Sequence, residues 1–208
     1  MASIGIERKT LWKDSIFDAT FDDIDNDAII SFYESLVEKE KGVRRSNIGG
    51  WQRDVKYGEC EAYDDAMDKC VHVVKHIFND IYKVDIDIKL ANSWLNSNNF
   101  GDSNAYHTHP GCIFSGVYYV NASKQKENGS INFIRPNNHT IEDFKNNLSQ
   151  RCGFGKLWQT TDMQFESNAD FMPQQNHAYL FPPWFGHEVK RNYSQENRLV
   201  IGMNFNPS

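Results

Sequence analysis

Ile86-Asp87-Ile88-Lys89-Leu90 alternates apolar and charged residues, and the alternation runs on to Trp94. A period of two belongs to a strand with one buried face, because successive side chains point to opposite sides. The chain before this stretch keeps a different period. Ile24, Ala28, Ile29, Phe32, Tyr33, Leu36 and Val37 recur at helical spacing. Asp22-Asp23 precedes them and Lys39 and Gly42 follow, which predicts a helix with an acidic start, a basic end and a glycine stop. A second helix is predicted near Glu61–Tyr82, where Ala62, Ala66, Cys70, Val73, Val74, Ile77, Phe78 and Ile81 share a face. Between the two, Gly49-Gly50-Trp51-Gln52 reads as a turn or short strand.

After Trp94 the pattern stays extended. Asn96 to Asn104 reads as a polar loop, followed by a strand carrying a histidine pair and by strands at Cys112–Val120 and Ile131–Ile134. Residues 137–170 are less regular, with a short helix at Ile141–Leu148 and an extended excursion at Lys156–Phe165. Strands resume at Ala178–Phe181, His187–Lys190 and Arg198–Phe205. With no repeat and no linker, the expectation is one domain over residues 1–208. Residues 1–85 form a mainly helical support and 86–208 a largely antiparallel β core of about eight short strands. Such a chain suits a barrel or double-sheet sandwich with the helices packed outside one sheet.

Composition narrows the function. At 208 residues, with 13% aromatic residues, the chain is long enough for a packed β-rich interior or an aromatic-lined pocket. A net charge of −6 argues against a general nucleic-acid or anionic-membrane binder. Cys60, Cys70, Cys112 and Cys152 are scattered without a CxxC pair, as expected for reduced thiols in a reducing compartment. The N-terminal residues Glu7, Arg8 and Lys9 interrupt any apolar leader, and no run reaches the ~18–20 apolar residues of a membrane helix. A soluble, cytoplasmic protein is expected.

The chemistry gathers at His107-Thr108-His109 and at His187, with Arg198 farther on. Two histidines spaced two apart project from one face of an extended segment. Imidazole is the commonest neutral nitrogen ligand of iron, zinc, copper and nickel. Three of them from two strands would form a mononuclear site with open positions. A tight reversal at Asn192-Tyr193 would set His187 opposite Arg198 and bring a guanidinium beside the metal. A guanidinium there is a receptor for the carboxylate of a metal-bound acid.

In order along the chain come His107-Thr108-His109-Pro110-Gly111, Ser115-Gly116-Val117-Tyr118-Tyr119-Val120, Gly129-Ser130-Ile131-Asn132-Phe133 and Arg135-Pro136. Phe181-Pro182-Pro183-Trp184-Phe185-Gly186-His187 and Arg198-Leu199-Val200-Ile201-Gly202-Met203-Asn204-Phe205 complete the series. It resembles the Fe(II)/2-oxoglutarate-dependent oxygenases of bacteria and phages, relatives of the prolyl hydroxylases, over roughly residues 90–206. The resemblance implies a double-stranded β-helix, or jelly roll, with iron at its open end. It implies His107 and His187 as iron ligands, with His109 standing where the family usually has a carboxylate. Asp102 and Glu188 are the other candidates for that carboxylate. Arg198 would bind the distal carboxylate of 2-oxoglutarate and Tyr119 would donate to it. Asn96 and Asn104 are candidate contacts to cosubstrate or substrate, and Trp94, Trp184 and Phe185 are candidate pocket walls.

The implied reaction consumes O2 and 2-oxoglutarate, releases succinate and CO2, and hydroxylates a C–H bond of a peptidyl substrate, prolyl among the choices, or of a small molecule. Residues 137–176 would serve as a lid or substrate loop. Two other classes share the histidines: a cupin-like or zinc three-histidine enzyme without 2-oxoglutarate, and a non-catalytic jelly-roll module.

Overall fold

The computed structural model of the chain describes residues 14–123, 126–136, 139–141, 143 and 166–208. The expected excursion at Lys156–Phe165, most of the helix at Ile141–Leu148, most of the 137–176 loop, and Cys152 lie outside them.

Eleven strands are present among these residues. They are β1 Phe17–Thr20, β2 Asn47–Ile48, β3 Trp51–Asp54, β4 Ile88–Asn98, β5 Ser103–His107 and β6 Phe114–Asn121. The rest are β7 Ile131–Ile134, β8 Asn168–Phe171, β9 His177–Phe181, β10 His187–Val189 and β11 Arg198–Pro207. Helix α1 spans Asn26–Val37, and α2 spans Glu61–His76 and passes into a π-helical turn at Ile77–Ile81. The strands form two antiparallel sheets, ordered β1-β9-β6-β11-β4-β3 and β2-β5-β10-β7-β8. This is the jelly-roll arrangement, with both helices on the outer face of the larger sheet.

Alternation along the strands builds two apolar layers. Leu95, Phe114, Tyr118, Ile201, Met203 and Phe205 point outward to the helices, where they meet Ile29, Tyr63, Ala66, Met67, Cys70 and Val74. Polar contacts fix this layer: the Tyr33 hydroxyl lies 2.8 Å from Ser97 Oγ, and Tyr118 donates to Asn26 Oδ1 at 2.9 Å. Asp25 caps α1 by accepting from the Ala28 amide at 3.0 Å, which satisfies one of the orphan N–H groups of the first turn. The second layer, between the sheets, is smaller and consists of Tyr119, Ile131, Phe133, Tyr179, Phe181 and Val200. The rest of the space between the sheets is polar, and the candidate site lies there.

Two expectations change. The polar stretch from Asn96 is not a loop: β4 continues to Asn98, and the reversal occupies Asn99–Asp102. Asn96 and Asn98 turn inward and find amide partners there, so polarity does not end the strand. His187 is not opposite Arg198. Strand β10 belongs to the smaller sheet, where His187 pairs with His107 and Phe133, and Arg198 pairs with Asn98 in the larger one. The connection crosses between sheets around Asn192, whose fully buried amide donates to Asn98 O at 2.9 Å and Glu196 O at 2.8 Å. The helices agree with the expectation, α1 ending at Val37 and α2 running on through its π-helical turn to Ile81. Strands β1 and β8, four residues each at sheet edges, escaped the periodicity altogether.

Cys60, Cys70 and Cys112 are free thiols. Among the described residues no helix is long and apolar enough to cross a membrane.

Candidate metal and cosubstrate site

His107 is the last residue of β5 and His187 the first of β10. Their direct pairing across the smaller sheet brings the two ring centroids within 4.3 Å. His109 lies past the strand end. Its amide donates to Pro183 O at 3.0 Å, which pins the chain so that the ring turns back toward the other two. That ring stacks on Trp94, at 5.8 Å and 15°, and lies almost parallel to His187 at 5.1 Å and 7°. One nitrogen from each of the three rings falls within 4.8 Å of the others.

The remaining nitrogens decide the protonation. His107 Nδ1 faces Ala105 O at 2.7 Å, His187 Nδ1 faces Phe185 O at 2.9 Å, and His109 Nδ1 faces Asn204 Oδ1 at 2.9 Å. Asn204 is oriented in turn by donating to Asn92 Oδ1 at 2.8 Å. All three partners are acceptors, so each ring carries its proton on Nδ1 and turns an Nε2 lone pair inward. His109 Nε2 and His187 Nε2 therefore face each other at 3.4 Å as two lone pairs, a contact that a shared cation stabilises. Burial pushes the imidazole pKa values down, to about 3 for His187 and about 4 for His109, with the neighbouring His107 adding to both shifts. Burial lowers His107 as well. Three neutral, pre-oriented donors fit a divalent transition metal.

A cavity extends from the histidines between the sheets. Trp94, Asn96 and Asn98 of β4 line it, with Gly202, Val200 and Arg198 beside them on β11 and Tyr119 on β6. From Gly202, level with Trp94, to Arg198 the strand rises roughly 13 Å, enough to seat a short dicarboxylate end to end. Arg198 closes the far end and is 1% exposed. Its Nη1 donates to the carbonyls of Asn128 and Gly129, the latter at 2.7 Å, and its Nη2 to Asn98 Oδ1 at 3.0 Å. It forms no salt bridge among the described residues, and burial pushes its pKa down to about 10. An uncompensated buried guanidinium is costly, and an anion in the cavity relieves that cost. Tyr119 is buried and lines the cavity near this charge.

The other candidates divide. Asn96 and Asn104 line the cavity: Asn96 Nδ2 donates to Asn98 Oδ1 at 2.9 Å and to Asn104 Oδ1 at 3.4 Å. Trp94 lines the cavity, whereas Trp184 does not and is 64% exposed on the turn after Pro182-Pro183. Phe185 packs instead into the layer between the sheets. Neither Asp102 nor Glu188 joins the histidines. Asp102 accepts from the Asn99 amide at 2.8 Å in the β4–β5 turn, and Glu188, one residue past His187, faces the other side of its strand. Asn98, Asn204 and Gly202 were missed. Only the alternation of β4, followed past Asn96, would have put Asn98 beside Asn96. Gly202 leaves the space that the Trp94 ring fills, since a Cβ there would lie 2.3 Å from Trp94 Cε2.

Residues 92–204, just over half of the chain, match the family described as "Putative 2OG-Fe(II) oxygenase". No curated protein sequence matches the chain. Among solved structures, a Pseudomonas putida prolyl-4-hydroxylase is similar at 14% identity and TM-score 0.64, with 94% of each chain covered. The viral collagen prolyl hydroxylase of Paramecium bursaria Chlorella virus-1, in a 2-oxoglutarate complex, is similar at 11% identity and TM-score 0.58, covering 91% of this chain and 94% of that one. HygX of Streptomyces hygroscopicus, with nickel and 2-oxoglutarate bound, is similar at 12% identity and TM-score 0.59, covering 94% and 83%. At these identities the structural likeness speaks for the fold.

Proposed function

This chain belongs to the 2OG-Fe(II) oxygenase family, and from that premise we propose that it is a working Fe(II)- and 2-oxoglutarate-dependent dioxygenase that hydroxylates a C–H bond. The observation that carries the proposal is a cavity with three inward imidazole lone pairs at one end and an unpaired buried guanidinium at the other. His107, His109 and His187 would hold the iron, and Arg198 with the Tyr119 hydroxyl would hold the distal carboxylate of 2-oxoglutarate. Bound iron supplies O2 activation, and 2-oxoglutarate supplies two electrons as it becomes succinate and CO2. One oxygen atom ends in succinate and the other in the substrate hydroxyl.

The chain's own part is placement and exclusion. Asn204, Ala105 and Phe185 hold the three rings in one tautomer, so no proton has to leave Nε2 before metal binds. The Trp94 face and Phe181 wall the metal end and keep bulk water from it. The substrate in this account is a peptidyl group, prolyl among the choices, or a small molecule. The support for a prolyl group is the fold shared with prolyl hydroxylases, and HygX, solved with hygromycin B bound, is the counterpart for small molecules.

One observation favours a second reading. His109 stands in place of the usual carboxylate, as in a three-histidine metalloenzyme that does not use 2-oxoglutarate. Turnover separates the two. Fe(II)-loaded protein given 2-oxoglutarate and O2 should release succinate slowly on its own and faster with a substrate found among prolyl peptides and small metabolites. Absence of succinate at every substrate, with metal bound, would favour the second reading.

A further inference from the structure

Asn98 meets Arg198 directly across the β4–β11 ladder, and both are 1% exposed. The guanidinium is only a donor, so the Asn98 atom 3.0 Å from Nη2 is the carbonyl oxygen. That assignment propagates. Asn96 must give its Nδ2 to the same oxygen, then meets Asn104 Oδ1, and Asn104 Nδ2 donates to Ser46 Oγ at 3.2 Å. The result is a row of amides directed by one arginine, running from the larger sheet to the segment before β2. Every partner of the guanidinium is neutral: the carbonyls of Asn128, Gly129 and Lys190, and the Asn98 amide. The nearby Asp102 carboxylate attracts the guanidinium through space but makes no ion pair with it, and it accepts from the Asn99 amide. The buried Asn98 Nδ2 has no acceptor among the described residues.

We propose that Asn98 is a specificity-determining residue: as a neutral amide beside Arg198 it leaves the guanidinium charge free for the distal carboxylate of the cosubstrate. The inference rests on the reading of the cavity as a 2-oxoglutarate site. An aspartate would fill the same volume and keep the oxygen on Nη2, yet it would turn the contact into a closed internal ion pair. The neutral amide is selected by charge, since shape alone does not separate the two.

The test compares two keto acids of equal chain length, 2-oxoglutarate and 2-oxopentanoate, which lacks the distal carboxylate. Each is titrated anaerobically into Fe(II)-loaded wild type, Asn98→Asp and Asn98→Ser, with thermal melts as a check on folding. Wild type should prefer 2-oxoglutarate. Asn98→Asp should reduce that preference roughly 10- to 100-fold, the worth of a charge-assisted contact, with little change for 2-oxopentanoate. Asn98→Ser, neutral but too short to reach Nη2, should stay closer to wild type than Asn98→Asp. A residue that only shapes the cavity gives the reverse order, because aspartate keeps the hydrogen bond and serine loses it. That order, or an unchanged preference in Asn98→Asp, overturns the proposal. Should Asn98→Asp not fold, loss of the preference in Asn98→Ser does so. A wild type that binds metal without preferring 2-oxoglutarate overturns the functional reading beneath it.

Discussion

At His109 an imidazole stands in place of a carboxylate, so the three histidines would bring no negative charge to a bound metal. Affinity then depends on how well each lone pair is aimed, and Asn204 does the aiming for His109. Asn204→Ala should weaken metal binding by roughly 10- to 100-fold while leaving the fold intact, as measured by competition with a metallochromic chelator. Protonation acts on the same rings. His187 and His109 titrate at about 3 and about 4 in the folded chain, against roughly 6.5 for a free imidazole. As pH falls through that upper value the unfolded chain takes up protons first. The metal-free protein should therefore lose stability between about pH 7 and pH 3, with the full contribution present above about pH 7. Denaturant melts across that window should show the decline, and His187→Gln should flatten it.

The strands show what a sequence discloses and what it withholds. Ile131–Ile134 was read to the residue, and the β9 and β11 regions nearly so, because their apolar character follows burial. Asn96 and Asn98 were read as loop because polarity normally marks solvent, and here it marks an interior amide row. The histidine pair was found by spacing, yet its second ring reaches the first by leaving the strand at a backbone contact with Pro183. The placement of Arg198 failed for a topological reason: β10 and β11 are neighbours in sequence and lie in different sheets. At Gly202 the element itself can be tested. Gly202→Ala should push Trp94 off His109, destabilise the protein by about 1–3 kcal/mol and weaken metal binding, as followed by melting and metal titration.

Over the whole molecule, the helices on the larger sheet stiffen β4 and β11, the strands that carry Asn98 and Arg198, while β5 and β10 of the smaller sheet carry His107 and His187. Ile29, fully buried against the larger sheet, tests that support: Ile29→Ala should destabilise by about 2–5 kcal/mol in a denaturant melt, with metal affinity of the folded fraction unchanged. In the proposed function one cavity would hold iron at the histidines and 2-oxoglutarate across to Arg198. Anaerobic titration of Fe(II) and then 2-oxoglutarate into metal-free protein, followed by visible absorption, is the decisive measurement. A weak charge-transfer band should appear only with both additions, be absent in His187→Ala, and require much higher 2-oxoglutarate in Arg198→Ala. Iron binding with no band at any 2-oxoglutarate concentration, or a band indifferent to Arg198→Ala, would contradict the proposed function.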